Sequence, residues 1–333
     1  MKGLFVVEKN KLEILELPEP QIGEYEALMQ VKACAICNST DWKLIEGEFF
    51  SGTFPMLLGH ESIGEVIRVG KKVRSFQLGD HVLRSTLRDE HVPFPGGRSC
   101  WGGFVERAIV TDVWAEKGAA YNSFPHPQQI VPASIPPEQA VALITLKETL
   151  SCLENTGVKA GQSLAIVGSG PVAQALTLFA KLAGITPVVV FGRRSAWSEL
   201  FYQLGADAYA HGEDLPLIVE KILKQGGFDR VIEAVGSRDA LSFSLEIAKP
   251  QGGVNLYGIA PESEPYLPDE EQDPRLFRSK VAEAETHDRL LELVEKGDIR
   301  LVDWVSDVLP WKDYQRGFDL VKEKRANKVV LRF

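Results

Sequence analysis

The sequence is poor in cysteine and in basic residues. Its 333 residues include four cysteines, at positions 34, 37, 100 and 152, too few for a disulfide framework in a chain of this length. We therefore expect a reducing, cytoplasmic setting. Acidic residues number 46 against 37 basic ones, and the net charge of −9 argues against a nucleic-acid partner, which requires a basic face.

The sequence also lacks an uninterrupted apolar run. Residues 1–7 are too short for the apolar core of a signal peptide and lead directly into charged residues. The longest apolar tract, 163–191, is interrupted by glycine, proline and lysine, and so we expect no membrane span. Small molecules are the expected partners.

Residues 163–195 have the pattern strand, glycine turn, helix, strand. Gly168 permits a tight turn, and Gly170 allows the backbone to approach a pyrophosphate. The helix that starts at Pro171 offers unpaired N–H groups to that anion. Ala173 is small enough for the third position of the pattern. The spacing predicts a dinucleotide-binding βαβ unit.

Length and periodicity predict two domains. Short strands separated by glycine and proline extend over 1–135 and predict a barrel-like β domain. Strands then alternate with helices as far as Ile259, which predicts an α/β domain with a doubly wound parallel sheet. A helix from Pro137 to about Gly157 links the two. A loop is expected at 261–275.

Two segments combine the side chains that zinc favours: Cys34–Asp41 and Leu58–Val66 contain thiols, an imidazole and carboxylates. Cys34 lies on an alternating strand and is expected to be buried. Cys37, beside polar residues, is a candidate ligand together with His60. The alternatives are a Cys34/Cys37 redox pair and a surface histidine.

Six motifs give the chain a resemblance to a known family: CAIC at 34–37, GHESIG at 59–64, GDHV at 79–82, GGFVE at 102–106, GSGPV at 168–172 and FDRVIEAVG at 228–236. They resemble the zinc-dependent alcohol dehydrogenase branch of the medium-chain dehydrogenase/reductase superfamily. The resemblance implies a GroES-like catalytic β-barrel over 1–145 and 283–333, a Rossmann domain over 146–282, an active site in the cleft, and a homodimer or homotetramer.

The resemblance also implies a reaction. Zinc bound by Cys37 and His60 would polarise the oxygen of an alcohol or polyol, or of its carbonyl, while a nicotinamide exchanges hydride with the substrate carbon. Relatives also carry a structural zinc on four cysteines, but residues 85–100 contain only Cys100. We therefore expect one catalytic zinc and no structural zinc.

The third zinc ligand departs from the family pattern. Counted back from Gly168, it falls at Ile144 or Thr145, neither of which is a credible primary ligand. Glu148 lies one helical turn further on and could present its carboxylate on the same face. Glu61 is the rival, because it follows the candidate ligand His60. Both carboxylates stay open as ligands, as does a weakened or absent zinc.

The proton relay departs from the family pattern as well. Cys37 and Asp41 are separated by one residue more than usual, so Ser39 or Thr40 could accept the proton of a bound alcohol. Lys43 or Trp42 stands where relatives often have a histidine, and Lys43 or water could carry the proton onward. Three aromatic side chains could line an apolar substrate pocket: Phe49, Phe50 and Trp101.

The far end of the βαβ unit predicts the cofactor. NAD enzymes end the second strand on an acidic residue, whereas this chain has Gly192 followed by Arg193 and Arg194. Two guanidinium groups can bind a 2′-phosphate, which predicts NADP(H). The resemblance adds Pro171, Val172 and Val235 to the cofactor site, and Lys328 as a basic contact to the pyrophosphate.

Two other functions compete with the zinc dehydrogenase. A metal-free NADPH-dependent reductase of enones or quinones would explain the missing third ligand, although Cys37 and His60 then have no metal to hold. A nonenzymatic nucleotide-binding module with a redox-responsive Cys34/Cys37 pair ranks lower, because it has no need of His60 and Glu61.

Overall fold

The chain forms two compact units in a computed structural model, which describes residues 1–118, 128–266 and 272–333. The first unit comprises Met1–Lys147 and Ala282–Phe333, and the second comprises Glu148–Val281. Each unit is described separately below. Part of the loop expected at 261–275, residues 267–271, lies outside the described residues.

The strands in chain order are β1 (Lys2–Glu8), β2 (Lys11–Glu16), β3 (Glu26–Ala35), β4 (Met56–Leu57), β5 (Glu61–Val69), β6 (His81–Leu83), β7 (Arg98–Ser99), β8 (Arg107–Thr111), β9 (Ile130–Val131), β10 (Leu164–Val167), β11 (Val188–Phe191), β12 (Ala208–Ala210), β13 (Phe228–Glu233), β14 (Ala248–Leu256), β15 (Leu276–Phe277), β16 (Asp307–Pro310) and β17 (Val329–Arg332). The helices are α1 (Thr40–Ile45), α2 (Val113–Lys117), α3 (Pro137–Ala140), α4 (Ala142–Thr156), α5 (Pro171–Leu182), α6 (Ser198–Leu204), α7 (Leu215–Lys224), α8 (Arg238–Ile247), α9 (Glu283–Glu295) and α10 (Tyr314–Lys322).

Two sheets build the first unit. The smaller has the strand order β2-β1-β4-β7, and the larger has the order β16-β17-β3-β5-β6-β9, with β8 also paired to β3. β3 pairs with β17, β5 and β8, and it is buried along almost its whole length. Cys34 on β3 is fully buried, which confirms that expectation. The C-terminal strand β17 pairs antiparallel with β3, so the end of the chain completes the larger sheet.

The second unit is built on a six-stranded parallel sheet in the order β12-β11-β10-β13-β14-β15. Numbered within the unit, this is the order 3-2-1-4-5-6 of a doubly wound nucleotide-binding fold, which confirms the predicted parallel sheet. The strand order reverses between β10 and β13, whose last residues, Val167 and Glu233, lie side by side. Ligands of such folds bind outside the carboxyl ends of the strands at this point.

Helix α4 starts in the first unit and ends in the second, since the division falls between Lys147 and Glu148. This agrees with a helix that links the two halves of the chain. Within the described ranges, the helices are all too short or too polar to cross a bilayer.

Candidate functional site

Strand pairing brings the first three candidate ligands together. Antiparallel pairing of β3 with β5 places Ala35 opposite Glu61. Cys37 lies two residues beyond this pair, and His60 lies immediately before it. One ligand atom from each of Cys37, His60 and Glu61 lies within 4.8 Å of the other two. The candidate ligands therefore lie together where β3 ends and β5 begins.

Asp41, in the first turn of α1, orients two of these residues. Its Oδ2 accepts a hydrogen bond from the Cys37 backbone N–H at 2.9 Å, and its Oδ1 lies 3.4 Å from His60 Nδ1. Because Nδ1 faces this carboxylate, Nε2 is the ring nitrogen available to a metal. Burial lowers the pKa of His60, but the Asp41 carboxylate and Cys37 outweigh burial and raise that pKa well above its ordinary value.

Glu61 is held by two partners from distant segments. Lys328 Nζ donates to its Oε2 at 2.5 Å, and Thr145 Oγ1 donates to its Oε1 at 3.3 Å. Lys328 Nζ also contacts Thr145 Oγ1 at 3.2 Å, which closes a buried triangle. Burial raises the pKa of Glu61, but the Lys328 ammonium outweighs burial, so the net shift is downward. The pyrophosphate contact of Lys328 stays a prediction.

The donor set fits a zinc ion. A sulfur, an imidazole nitrogen and a carboxylate oxygen are typical of catalytic zinc sites, which keep one further position for water or substrate. His60 Nδ1 and Asp41 Oδ1 are buried, and neither makes a well-aligned hydrogen bond to the described residues. A metal on the other ring nitrogen would tighten this pair, as carboxylate–histidine pairs do around zinc.

An aromatic wall lies beside His60. The Trp101 ring centroid is 5.1 Å from that of His60, and Phe50 lies 5.9 Å from Trp101. Phe49 stacks on Phe50 at 4.4 Å, and the Arg98 guanidinium lies 4.5 Å from the centre of the Phe50 ring. Phe50 and Trp101 have φ angles of +58° and +69°. Left-handed backbone at bulky residues is rare and is typical of functional sites.

In the second unit, the glycine turn connects β10 to α5. Gly168 has a φ of +133°, which only glycine adopts without strain. Gly170 precedes the helix, and a Cβ built on it would meet no atom within 4 Å. The backbone at Gly170 is therefore uncovered on the side where a side chain would project. Pro171 occupies the first turn of α5 and costs no hydrogen bond there.

At the end of β11, the space beside Gly192 is already filled. A Cβ at this position would lie 2.1 Å from the Tyr209 hydroxyl, so no acidic side chain fits without movement of the tyrosine. That hydroxyl donates to the Arg194 carbonyl at 2.8 Å and holds the loop. Arg193 is exposed, and the Arg194 guanidinium lies 5.9 Å from the Trp197 ring centroid.

Comparison with known proteins identifies the family. The profile of the alcohol dehydrogenase GroES-like domain matches residues 23–118, and that of the zinc-binding dehydrogenase family matches 171–290. The chain belongs to the zinc-dependent medium-chain dehydrogenase/reductase superfamily. The predicted fold class, a GroES-like β-barrel plus a Rossmann domain, is thereby confirmed.

Individual relatives match nearly the whole chain. L-threonine 3-dehydrogenase of Bacillus licheniformis is 27% identical over 95% of this chain and 93% of its own. D-arabinitol dehydrogenase 1 of Uromyces fabae is 26% identical over 100% and 97%. Among solved structures, alcohol dehydrogenase TADH from Thermus sp. ATN1 has a TM-score of 0.80 at 24% identity, covering 100% of this chain and 99% of its own. A zinc-binding dehydrogenase from Sinorhizobium meliloti 1021, bound to NADP, has a TM-score of 0.75 at 25% identity with the same coverage.

The predicted relay residues lie next to the Cys37–His60–Glu61 group in sequence. Ser39 precedes α1, and Thr40 is the first residue of that helix. Lys43 Nζ donates to Ser39 Oγ at 3.2 Å, so the two lie in contact near the surface. This contact involves Ser39 alone, but it does not identify the relay hydroxyl, and Ser39 and Thr40 both stay predictions.

Two further predicted site residues, Glu148 and Val235, lie in the second unit. Glu148 accepts a hydrogen bond from the Tyr257 hydroxyl at 3.4 Å, and its role as a zinc ligand stays a prediction. Val235 follows β13 with 42% of its surface exposed. Its N–H donates to Glu233 Oε1 at 2.7 Å, as does that of Gly236 at 2.8 Å. Burial raises the pKa of Glu233.

The sequence did not reveal several residues that contact the candidate ligands Cys37, His60 and Glu61. Thr145 is the position reached by counting back from Gly168, but the sequence does not predict the contacts of its hydroxyl with Glu61 and Lys328. The sequence places Asp41 four residues after Cys37, but it does not predict that this carboxylate faces both Cys37 and His60. Arg84, which donates to the His60 carbonyl at 3.2 Å, carried no sequence signal at all.

Proposed function

We propose that this medium-chain dehydrogenase/reductase transfers hydride between NADP(H) and an alcohol or polyol, or the matching carbonyl compound. The observation that carries the proposal is the convergence of Cys37, His60 and Glu61 within 4.8 Å, with Asp41 behind the thiol and the imidazole. An arrangement of this kind suits a metal that binds substrate oxygen, and the family match supports zinc.

In the proposed reaction, Cys37, His60 and Glu61 would hold zinc, whose chemistry is Lewis-acid polarisation of the substrate oxygen. Asp41 Oδ1, 3.4 Å from His60 Nδ1, would orient the imidazole when its other nitrogen holds the metal. Phe50 and Trp101 provide an apolar surface that excludes water from the substrate carbon.

The proton leaves the substrate through a hydroxyl in the proposal. Ser39 or Thr40 accepts it and passes its own hydroxyl proton on, either to water or to Lys43 in its neutral form, whose Nζ lies 3.2 Å from Ser39 Oγ. Glu148 is retained as an alternative ligand. No structural zinc is proposed, since residues 85–100 contain only the buried Cys100.

The preference for NADP(H) is supported by the end of β11. The crowded position at Gly192 leaves no room for the carboxylate that would repel a 2′-phosphate, and Arg193 and Arg194 follow at once. In the proposal, Gly168, Gly170, Pro171 and Val172 bind the pyrophosphate end, Val235 contacts the nicotinamide end, and Lys328 adds a basic contact.

The proposal also covers the cellular compartment, the oligomeric state and the domain boundaries. Four free thiols support a reducing cytoplasm. We propose a homodimer or homotetramer, as the family resemblance implies. The net charge of −9 argues against a nucleic-acid partner, and the interrupted apolar tract 163–191 argues against a membrane partner. We propose 1–145 with 283–333 as the catalytic domain and 146–282 as the cofactor domain.

A metal-free NADPH-dependent reductase of enones or quinones is the second candidate. It is favoured by one observation, the ion pair of Glu61 with Lys328 beside Thr145, because this ammonium competes with a metal for the carboxylate. A purely redox-responsive module is disfavoured, since Cys34 is fully buried in the core.

The test combines metal content with turnover. We expect protein purified without chelators to contain about one zinc per chain, to oxidise an alcohol or polyol from a panel with NADP⁺, and to lose this activity on chelation. Readdition of zinc should restore activity. A H60Q variant should lose both zinc and turnover, whereas the surface control H91Q should keep them.

Two results would contradict the proposal. Chelator-insensitive reduction of enones by zinc-free protein would establish the metal-free reductase. Cofactor binding without turnover of any alcohol, carbonyl or enone would instead favour the nonenzymatic module.

A further inference from the structure

Arg84, a buried arginine outside the Cys37–His60–Glu61 group, hydrogen-bonds to the segment that carries His60 and Glu61. We propose that Arg84 and Glu283 form a clamp that positions His60 and Glu61 for metal binding. The inference rests on the proposed zinc site and extends it to residues that do not touch the metal.

Arg84 contacts the ligand segment on both sides of Glu61. Its Nη1 donates to the His60 carbonyl at 3.2 Å, and its backbone N–H donates to the Ser62 carbonyl at 2.7 Å. Asp41 holds the His60 ring from another direction, at Nδ1. The backbone of His60 is therefore held at its carbonyl, while its ring faces Asp41 at a distance that a metal on Nε2 would tighten.

Glu283, near the start of α9, holds the arginine itself. The guanidinium donates from Nε to Oε2 at 3.0 Å and from Nη2 to Oε1 at 2.6 Å, a two-pronged contact. The side chains are only 7% and 0% exposed. A paired contact fixes direction as well as distance, and Lys could not reproduce it. Lys147 Nζ lies 3.9 Å from Glu283 Oε2 and brings a second cation to the same carboxylate.

The backbone of Arg84 is strained, which indicates that its position serves more than packing. Its φ is +58°, in the left-handed region that a long side chain rarely adopts. Such strain persists only where the surroundings fix the residue, and it is concentrated at functional sites. Here Gln128 Nε2 also donates to the Arg84 carbonyl, at 3.1 Å. Side chain, N–H and carbonyl are thus all bound.

The consequence is a metal affinity that depends on residues outside the ligand set. Loss of partners that orient metal ligands typically weakens metal binding about 10- to 100-fold. Arg84 acts through His60 and is a positioning residue in this sense. A purely structural role for the clamp predicts lower stability but unchanged zinc affinity in whatever protein folds.

Three variants separate these roles. R84G removes the guanidinium and relieves the left-handed backbone. R84K keeps the charge without the two-pronged contact. R84G/E283Q removes the buried Arg84–Glu283 ion pair as a whole, and Lys147 keeps its hydrogen bond to Gln129 Oε1 at 2.9 Å. A matched control is R275G/D273N, which removes a similar two-pronged contact in the second unit, where Arg275 Nε and Nη2 lie 3.0 and 2.8 Å from Asp273.

The measurements are the zinc dissociation constant by chelator competition, the absorption spectrum of the cobalt(II)-loaded protein and the thermal midpoint. We expect all three Arg84 variants to bind zinc about 10- to 100-fold more weakly and to show an altered cobalt spectrum. R84G/E283Q should remain folded, and the Asp273/Arg275 control should match the wild type in both metal readouts.

The outcomes distinguish this inference from the proposed function. Wild-type zinc affinity and cobalt spectrum in folded R84G/E283Q would overturn the clamp and leave the dehydrogenase intact. Weaker zinc binding in the Arg84 variants, together with a wild type that binds zinc but turns over no substrate of the panel, would uphold the clamp and overturn the dehydrogenase. A wild-type protein without zinc affinity would overturn both.

Discussion

At the scale of single residues, Arg193 and Arg194 carry the cofactor prediction. Each guanidinium bonded to a 2′-phosphate contributes about 1.5–3 kcal/mol, equivalent to about tenfold or more in affinity. We expect R193A/R194A to raise the KM for NADPH at least tenfold while the KM for NADH changes little. Steady-state kinetics with both cofactors would measure this.

The control for that variant is K224A. Lys224 pairs with Glu220 on the exposed face of α7, one turn apart, so its removal changes net charge without touching the Gly192 loop. Equal increases in KM for NADPH and NADH in R193A/R194A would contradict a 2′-phosphate site.

At the scale of the element, the turn between β10 and α5 contains two glycines with different roles. Gly170 has an ordinary backbone and open space around its Cβ position. We therefore expect G170A to keep its thermal midpoint but to raise the KM for both cofactors, because the added methyl group points where the pyrophosphate would lie.

Gly168 supplies the comparison within the same turn. Its φ of +133° is strained for any other residue, at a cost of about 1–3 kcal/mol. G168A should therefore lower the thermal midpoint, as measured by differential scanning calorimetry. A G170A protein that is equally destabilised would show that Gly170 serves the fold rather than the cofactor.

At the scale of the whole molecule, the four thiols differ in reactivity. Burial raises the pKa of Cys100 to about 12 and of Cys152 to about 11, and it raises that of Cys34 well above its ordinary value. Only Cys37 is partly exposed. We expect iodoacetamide at pH 8 to label one thiol in the native protein freed of zinc and four in the denatured protein, since thiolates are the reactive form.

Mass spectrometry of the labelled protein would check this pattern. Zinc should protect Cys37, and a C37S variant, the natural control, should take up no label in the native state. Rapid native labelling of Cys34 would contradict the buried β3 and would reopen the redox-pair interpretation.

Much of the fold could be predicted because its signals are local. The apolar run 164–167, the glycines after it and the helical spacing from Pro171 are neighbours in sequence, and they became β10, the turn and α5. Cys34 was expected to be buried because it lies on a strand, and β3 is buried on both faces at this point. Side-chain partners were harder to predict, because Lys328 and Glu61 are 267 residues apart and meet only after β17 docks beside β3.

The sequence by itself determined the two-part architecture, the nucleotide turn and the identity of Cys37 and His60 as candidate ligands, since periodicity and motif spacing are properties of contiguous residues. Only the tertiary structure decided which groups surround those ligands. The groups that do so come from separate segments of the chain: Asp41, Thr145, Lys328 and the Arg84–Glu283 pair. Their contacts depend on strand register and helix docking, which place residues far apart in the chain within hydrogen-bonding distance.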